Sequence, residues 1–142
     1  MSQSDFDGVI EAYRQALDAF LMGDPQSVLE FFSRRDDVTL ANPLGPPHRG
    51  RVDVEKAVEE AAANFKGGSN RFEEVSRYST PDLGYIVQLE RSEVRLAGSE
   101  DMARISLRVT MIFRREGNTW KVVHRHADPI TTARPITTAI ET

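Results

Sequence analysis

The sequence predicts an α+β domain in which three N-terminal helices pack against an antiparallel sheet. Two observations support this prediction. Apolar residues in the first half of the chain recur at spacings of three and four, as on one face of a helix, whereas those after Asn70 alternate with polar residues, as in half-buried strands. Helices followed by a run of strands within 142 residues are typical of an α+β domain.

Three segments have the pattern of helices. The first covers about residues 5–22 and ends before Gly23. Asp24 and Pro25 open a short second helix, and Asp53 opens a third that we expect to include Phe65. A short strand over residues 38–41 and a rigid proline-rich loop over residues 42–47 separate the second helix from the third.

The second half of the chain has the pattern of a β-meander. Alternation is clearest over residues 103–113, which predicts a long half-buried strand. Its predicted neighbours, separated by Gly, Pro, Asn and Asp turn residues, are strands near 72–79, 84–96 and 120–127.

The last hairpin predicts which side chains meet inside the fold. A two-residue loop at 117–118 pairs Met111 with His124 and Val109 with His126. The inward residues of the last strand are then Trp120, Val122, His124, His126 and Asp128. In the preceding hairpin, pairing Leu96 with Ala103 turns Glu90 inward, whereas a slip of one residue turns it outward, and the sequence leaves both registers open.

Two imidazoles and two carboxylates in an apolar cup allow three interpretations. They predict acid–base catalysis by His126, His124, Glu90 and Asp128, because burial and neighbouring charges move pKa values toward neutrality. A metal bound by His124, His126 and Glu90 is a second interpretation, which Asp128 would not join, at about 13 Å from His124 along the strand. In the third, the histidines are satisfied by hydrogen bonds and perform no chemistry.

Five further residues are candidates for ligand binding. Tyr13 lies on the apolar face of the first helix, and Asn42 ends the first strand at the expected mouth of the cup. Val109, Met111 and Trp120 complete the predicted apolar wall.

The composition excludes several classes of protein. The chain has 18 Lys and Arg against 22 Asp and Glu, spread along its length, so we expect no nucleic-acid partner. The absence of cysteine excludes a disulfide framework, a thiolate zinc site and a cysteine nucleophile. No apolar run approaches the roughly 20 residues of a membrane span, and the first residues are acidic, so we expect a soluble cytoplasmic protein without a membrane partner.

The three helices, the strand ending at Asn42 and Pro43, and the closing run Trp-Lys-Val-Val-His-Arg-His at 120–126 form a familiar combination. It resembles the SnoaL-like and ketosteroid-isomerase-like proteins of the nuclear transport factor 2-like superfamily. The closing run is also similar to the association domain of calcium/calmodulin-dependent kinase. The resemblance covers about residues 5–129, with residues 130–142 as a tail, and implies a cone-shaped, strongly curved sheet, an internal pocket and a homodimer formed through the sheet.

The resemblance implies more than one function. We expect a small-molecule-binding domain for a small apolar organic ligand, with no metal and no cofactor. One alternative is a cofactor-free isomerase, cyclase or dehydratase acting on a small carbonyl compound, and another is an oligomerisation module. By resemblance to the cyclases, Asp128 would act with His124 or His126, and by resemblance to the isomerases, Tyr13 is the nearest candidate for their tyrosine.

Overall fold

The computed structural model describes residues 3–142, which contain three α-helices at the positions that the sequence predicts. They are α1 (Gln3–Phe20), α2 (Gln26–Leu29) and α3 (Arg51–Ala62). The C-terminal tail carries one turn of 3₁₀ helix, Ile136–Ala139, and is mostly exposed. Within residues 3–142, no helix has the length and apolar character that crossing a membrane requires.

The described chain forms a six-stranded sheet in the order β2-β1-β6-β5-β4-β3. The strands are β1 (Thr39–Ala41), β2 (His48–Arg49), β3 (Phe65–Ser79), β4 (Leu83–Leu96), β5 (Met102–Glu116) and β6 (Thr119–Asp128). All neighbours are antiparallel except β1 and β6, which are parallel. The sheet curls around the helices without closing, which confirms the predicted α+β class and the cone shape implied by the resemblance.

Strand β3 begins earlier than predicted and takes residues that we assigned to the end of the third helix. Phe65 is the first residue of β3 and pairs with Leu96 of β4. A Cβ at Gly68 would collide with the Glu93 carbonyl oxygen and crowd Val94. The glycine therefore permits the close approach of β3 to β4 and does not end a helix.

The core lies between α1 and the inner face of the sheet. Phe6 is fully buried, with ring centroids 5.5 Å from Phe113 and 5.2 Å from Trp120 in edge-on packing. The remaining buried residues of α1 follow the predicted helical stripe, and the odd-numbered residues of β5 from Val109 to Phe113 face them. The apolar faces predicted for α1 and β5 are thus the faces that pack together.

A β-bulge in the last hairpin changes the predicted facing of β6. Glu116 pairs with Thr119 and Phe113 with Val122, as predicted, but the register then shifts between Ile112 and Phe113. Met111 consequently pairs with Arg125, and Val109 pairs with Ala127. The predicted inward position of His124, His126 and Asp128 is therefore wrong, because the extra residue reverses the alternation beyond Val122.

Candidate functional site

A cavity of about 350 Å³ lies between the helices and the inner face of the sheet. Its wall is mostly apolar, with side chains from α1, α3, β5 and the strand ends, including Leu17, Phe20, Val58, Phe65 and Leu107. Its size and lining are those of a small-molecule site.

Exposure distinguishes the rim of the cavity from its floor. Asn42, Pro43 and Leu44 of the proline-rich loop are exposed or half-buried, so they form part of the rim. Tyr13 and Phe32 are almost fully buried and form part of the floor. The cavity therefore runs from the proline-rich loop toward the middle of α1.

The charged residue at the cavity wall belongs to a buried ion pair. Arg125 lines the cavity, and its Nη1 and Nη2 donate to the two carboxylate oxygens of Glu90 at 2.9 and 2.7 Å. The two side chains are only 11% and 5% exposed. Two parallel hydrogen bonds in a dry environment fix the guanidinium in position.

Glu90 faces inward, as in the first of the two registers that the sequence left open, although the pairing itself differs. It lies opposite Leu107, whereas pairing Leu96 with Ala103 would place it opposite Val109. The observed pairing of β4 with β5 is shifted by two residues, and an even shift leaves Glu90 on the inward face of the sheet.

A chain of hydrogen bonds continues from Glu90 to the surface. Gln88 is buried; its Nε2 donates to Glu90 at 3.0 Å, and its Oε1 accepts two hydrogen bonds from Arg14 at 3.1 and 2.7 Å. Arg14 also donates to Glu74 at 3.0 Å. Each buried polar group in this chain has a partner, as buried groups in stable folds require.

Tyr13 completes the polar part of the wall. It is 2% exposed, and the Arg125 guanidinium lies 5.9 Å from its ring centroid and interacts with its hydroxyl. Burial raises the pKa of Tyr13 to about 12, because the phenolate would be desolvated. The hydroxyl is therefore protonated near neutral pH and available as a hydrogen-bond donor.

Asn42 lines the cavity and also acts as a turn residue. Its Oδ1 accepts a hydrogen bond from the Leu44 amide at 3.0 Å. Asn64, also at the wall, donates instead to backbone carbonyls at the end of α3. The amides thus hold the loop and the helix end at the rim.

Three predicted ligand-binding residues lie elsewhere. Val109 and Met111 face inward as expected but are buried in the core, away from the cavity wall. Trp120 packs on Phe6, with the Arg115 guanidinium 4.7 Å from its ring centroid, and borders a separate surface depression. Of the five candidates, Tyr13 and Asn42 line the cavity.

The predicted catalytic groups are divided between the two faces of the sheet. Glu90 is inside, whereas His124 and His126 are on the outer face, where His124 Nδ1 lies 2.8 Å from the Thr39 hydroxyl. Partial burial is the main cause that lowers the pKa of His124, and the charge of His126 lowers it further. The His124 imidazole is therefore neutral near pH 7. The metal set of two histidines and Glu90 does not converge, because the sheet separates them.

Asp128 forms an ion pair on the outer face. It lies 2.7 Å from His126 Nε2 and accepts hydrogen bonds from Arg108 at 3.0 and 2.7 Å. Partial burial raises the pKa of Asp128, but the hydrogen bonds from Arg108 and His126 outweigh it and lower the pKa to about 2. The carboxylate therefore stabilises the folded state wherever it is ionised.

We expect Asp128→Asn to lower the free energy of unfolding by about 1 kcal/mol near pH 7, a modest effect because Arg108 and His126 are half exposed and screened by water. The folded-state pKa lies below the ordinary value of 3.8, so the contribution is complete above about pH 4 and is lost as the pH falls toward 2. Urea unfolding from pH 2 to 7, with Asp101→Asn in an exposed loop as control, measures it. A deficit that is equally large at both ends of this range contradicts the assignment.

The sequence interpretation missed Arg125 and Gln88. Strict alternation after Val122 predicts that Arg125 faces outward, and the bulge turns it inward. One signal points the other way: Ala127, a small apolar residue that suits the interior, shares the phase of Arg125. The register that turns Glu90 inward also turns Gln88 inward, because the two residues are two positions apart on β4.

Solved structures with this fold span most of the chain. A candidate dehydratase of the NTF2-like family from Streptomyces avermitilis is 20% identical, with a TM-score of 0.76, over 91% of this chain and 96% of that one. A ketosteroid isomerase-like protein from Erwinia carotovora atroseptica is 14% identical, with a TM-score of 0.73, over 91% and 96%. An NTF2-like superfamily protein from Salmonella enterica serovar Typhimurium is 13% identical, with a TM-score of 0.74, over 88% of each chain. At these identities the likeness shows the fold.

The family model agrees with the structural comparison. Among curated proteins, none matches this chain. The model of the SnoaL-like domain matches residues 9–131, which extend from the first turns of α1 to just beyond β6. The chain therefore belongs to the SnoaL-like domain family, as the resemblance in its sequence implied.

Proposed function

We propose that this protein binds a small, mostly apolar organic molecule in the cavity between the helices and the sheet. The observation that supports the proposal is the cavity itself, about 350 Å³ in volume and mostly apolar, with Tyr13 and Arg125 among the residues that line it. Apolar contact supplies affinity in such a site, and the few polar groups orient the ligand. The open cavity counts against a purely oligomerising module, in which side chains would fill this space.

Acid–base catalysis on a carbonyl compound is a second candidate, favoured by the buried constellation of Tyr13, Arg125 and Glu90. Tyr13 is a protonated donor that would stabilise negative charge developing on a carbonyl oxygen. The group that would act as general base has less support. Both oxygens of Glu90 already accept hydrogen bonds, and among the described residues at the cavity wall the ionisable ones are Tyr13 and Arg125. Binding therefore has more support than turnover.

Filling the cavity tests the proposed function. Ala61 on α3 lines the cavity, whereas Ala63, two residues on, is exposed. We expect the neutral fluorescent naphthyl ketone prodan to bind the wild-type protein with a blue shift in emission. We expect Ala61→Trp to weaken binding by at least about tenfold because the indole occupies the ligand's volume, and Ala63→Trp to leave it unchanged.

Two results would contradict the proposed function. One is the absence of prodan binding to folded wild-type protein; the other is equal affinity in the Ala61→Trp and Ala63→Trp variants. Circular dichroism of each variant establishes that the fold is retained.

We also infer that two copies of the chain pair through the outer face of the sheet. The supporting observation is a row of uncharged side chains that crosses the strands in register, with Tyr78 opposite Tyr85, Tyr85 opposite Ile112, and Ile112 opposite His124. The tyrosine rings lie 6.3 Å apart, and Ile112 is partly exposed. Native mass spectrometry reports the subunit number together with any molecule that co-purifies, and a monomer mass contradicts the pairing.

A further inference from the structure

The polar wall of the cavity carries no net charge. Among the described residues at the wall, Arg125 is the one with a permanent charge, and Glu90, which lies behind it, neutralises that charge through two hydrogen bonds. The pair is desolvated, so water does not screen it and no counter-ion replaces either partner.

The next groups outward are balanced in the same way. Gln88, the neighbour of Glu90, is neutral, and the Arg14 cation that follows is paired with Glu74. From the cavity wall to the surface, each cation of this chain therefore has a carboxylate partner, and Arg77, which shares Glu74 with Arg14, also pairs with Asp7. An anionic ligand would find no uncompensated cation to pair with.

We propose that the cavity selects uncharged molecules that carry a carbonyl or similar acceptor oxygen, and that it rejects carboxylates of the same shape. This inference rests on the proposed function. A carbonyl oxygen needs one donor, and we assign that role to the Tyr13 hydroxyl at a wall that is mostly apolar. A carboxylate would lose its hydration and gain no free positive charge in return.

Glu90 sets this preference because it cancels the charge of Arg125 without itself reaching the cavity. Glu90→Gln keeps the shape of the side chain and one acceptor oxygen but removes the charge, so it leaves the Arg125 guanidinium as an unpaired cation beside the ligand. A carboxylate ligand then becomes the missing counter-ion. The variant should therefore reverse the preference of the site.

Three probes of nearly equal shape test the inference: β-acetonaphthone, β-naphthamide and β-naphthoate, measured by isothermal titration calorimetry at pH 7.5. We expect wild-type protein to bind the ketone and the amide at least about tenfold more tightly than the carboxylate, and Glu90→Gln to bind the carboxylate more tightly than the ketone. The matched control is Glu93→Gln, the same change on the same strand at an exposed position. This control variant should bind the ketone and the amide more tightly than the carboxylate, as the wild-type protein does.

Each outcome is informative. Equal or tighter binding of naphthoate by the wild-type protein overturns the inference and leaves the proposed function intact. Failure of all three probes and of prodan to bind overturns both. The order of the three affinities is measured on the wild-type protein itself, so this part of the test does not require any variant to fold. Where Glu90→Gln is unstable, naphthoate should raise its melting temperature more than the ketone does, and the uncharged double variant Glu90→Gln/Arg125→Met should bind the ketone in preference to naphthoate.

Discussion

Arg125→Met is expected to lower the free energy of unfolding by about 3–5 kcal/mol, because it leaves the Glu90 carboxylate buried without its partner. Methionine fills much of the space of the arginine stem, so the loss measures the charge and not a cavity. Equilibrium unfolding in urea at pH 7 reports the difference. The control is Arg104→Met on β5, where the side chain is 88% exposed and the expected change is below about 0.5 kcal/mol.

A double-mutant cycle separates the ion pair from its surroundings. Glu90→Gln/Arg125→Met removes both charges, and we expect it to lie within about 1–2 kcal/mol of the wild-type protein, because a neutral pair carries no comparable desolvation penalty. If the double variant is instead destabilised by the sum of the two single changes, the two groups act independently and the interpretation of the buried pair is wrong.

Phe6→Ala is expected to destabilise the protein by about 3–5 kcal/mol, the range for removal of a fully buried aromatic ring. The ring fills the space above Gly84, where an added Cβ would lie 2.5 Å from Phe6 Cε1. Because the glycine has no side chain with which to close the gap, the cavity should persist. Val52→Ala, at an 86% exposed position of α3, is the control, with a change below about 0.5 kcal/mol.

The contact between Phe6 and Gly84 has a test of its own. Gly84→Ala should cost about 1–3 kcal/mol in the wild-type background, because the methyl group collides with the ring. In the Phe6→Ala background the same change should be neutral or stabilising, because the methyl group enters the space that the ring has left. An equal cost in both backgrounds would show that the glycine is required for another reason.

Most of the fold could be predicted from the sequence because periodicity is a local signal. The helical stripe of α1 persists over several turns, and the alternation of apolar and polar residues in β5 persists along much of the strand. Both patterns predict the faces that are buried in the structure. The boundary between α3 and β3 could not be placed in this way. Glycine occurs both at helix ends and at close contacts between strands, so Gly67 and Gly68 do not tell the two apart. The strand partner of Phe65 is Leu96, which is too distant in sequence to form a local signal.

The site was harder to predict than the fold, because it depends on one irregularity. Val122 and Val123 are both apolar, so Ala127 is the one residue after them whose character indicates which face it occupies. The stronger determinant is a long-range contact between Arg125 and Glu90, which no spacing rule contains. The inward position of Tyr13 follows from a regular helix, and that of Glu90 is one of two registers that the sequence leaves open. The positions of His124 and His126 cannot be predicted by alternation because the bulge breaks it.

The bulge in β6 has an evolutionary consequence. Two consecutive residues, Val123 and His124, lie between the inward-facing Val122 and Arg125, where regular pairing needs only one. A chain that had lost one of the two would still present Arg125 and Ala127 to the cavity, by ordinary alternation. The strand can therefore lose a residue at this position while the cavity wall keeps its chemistry, so β6 is best aligned with another chain from its Asp128 end rather than from the hairpin.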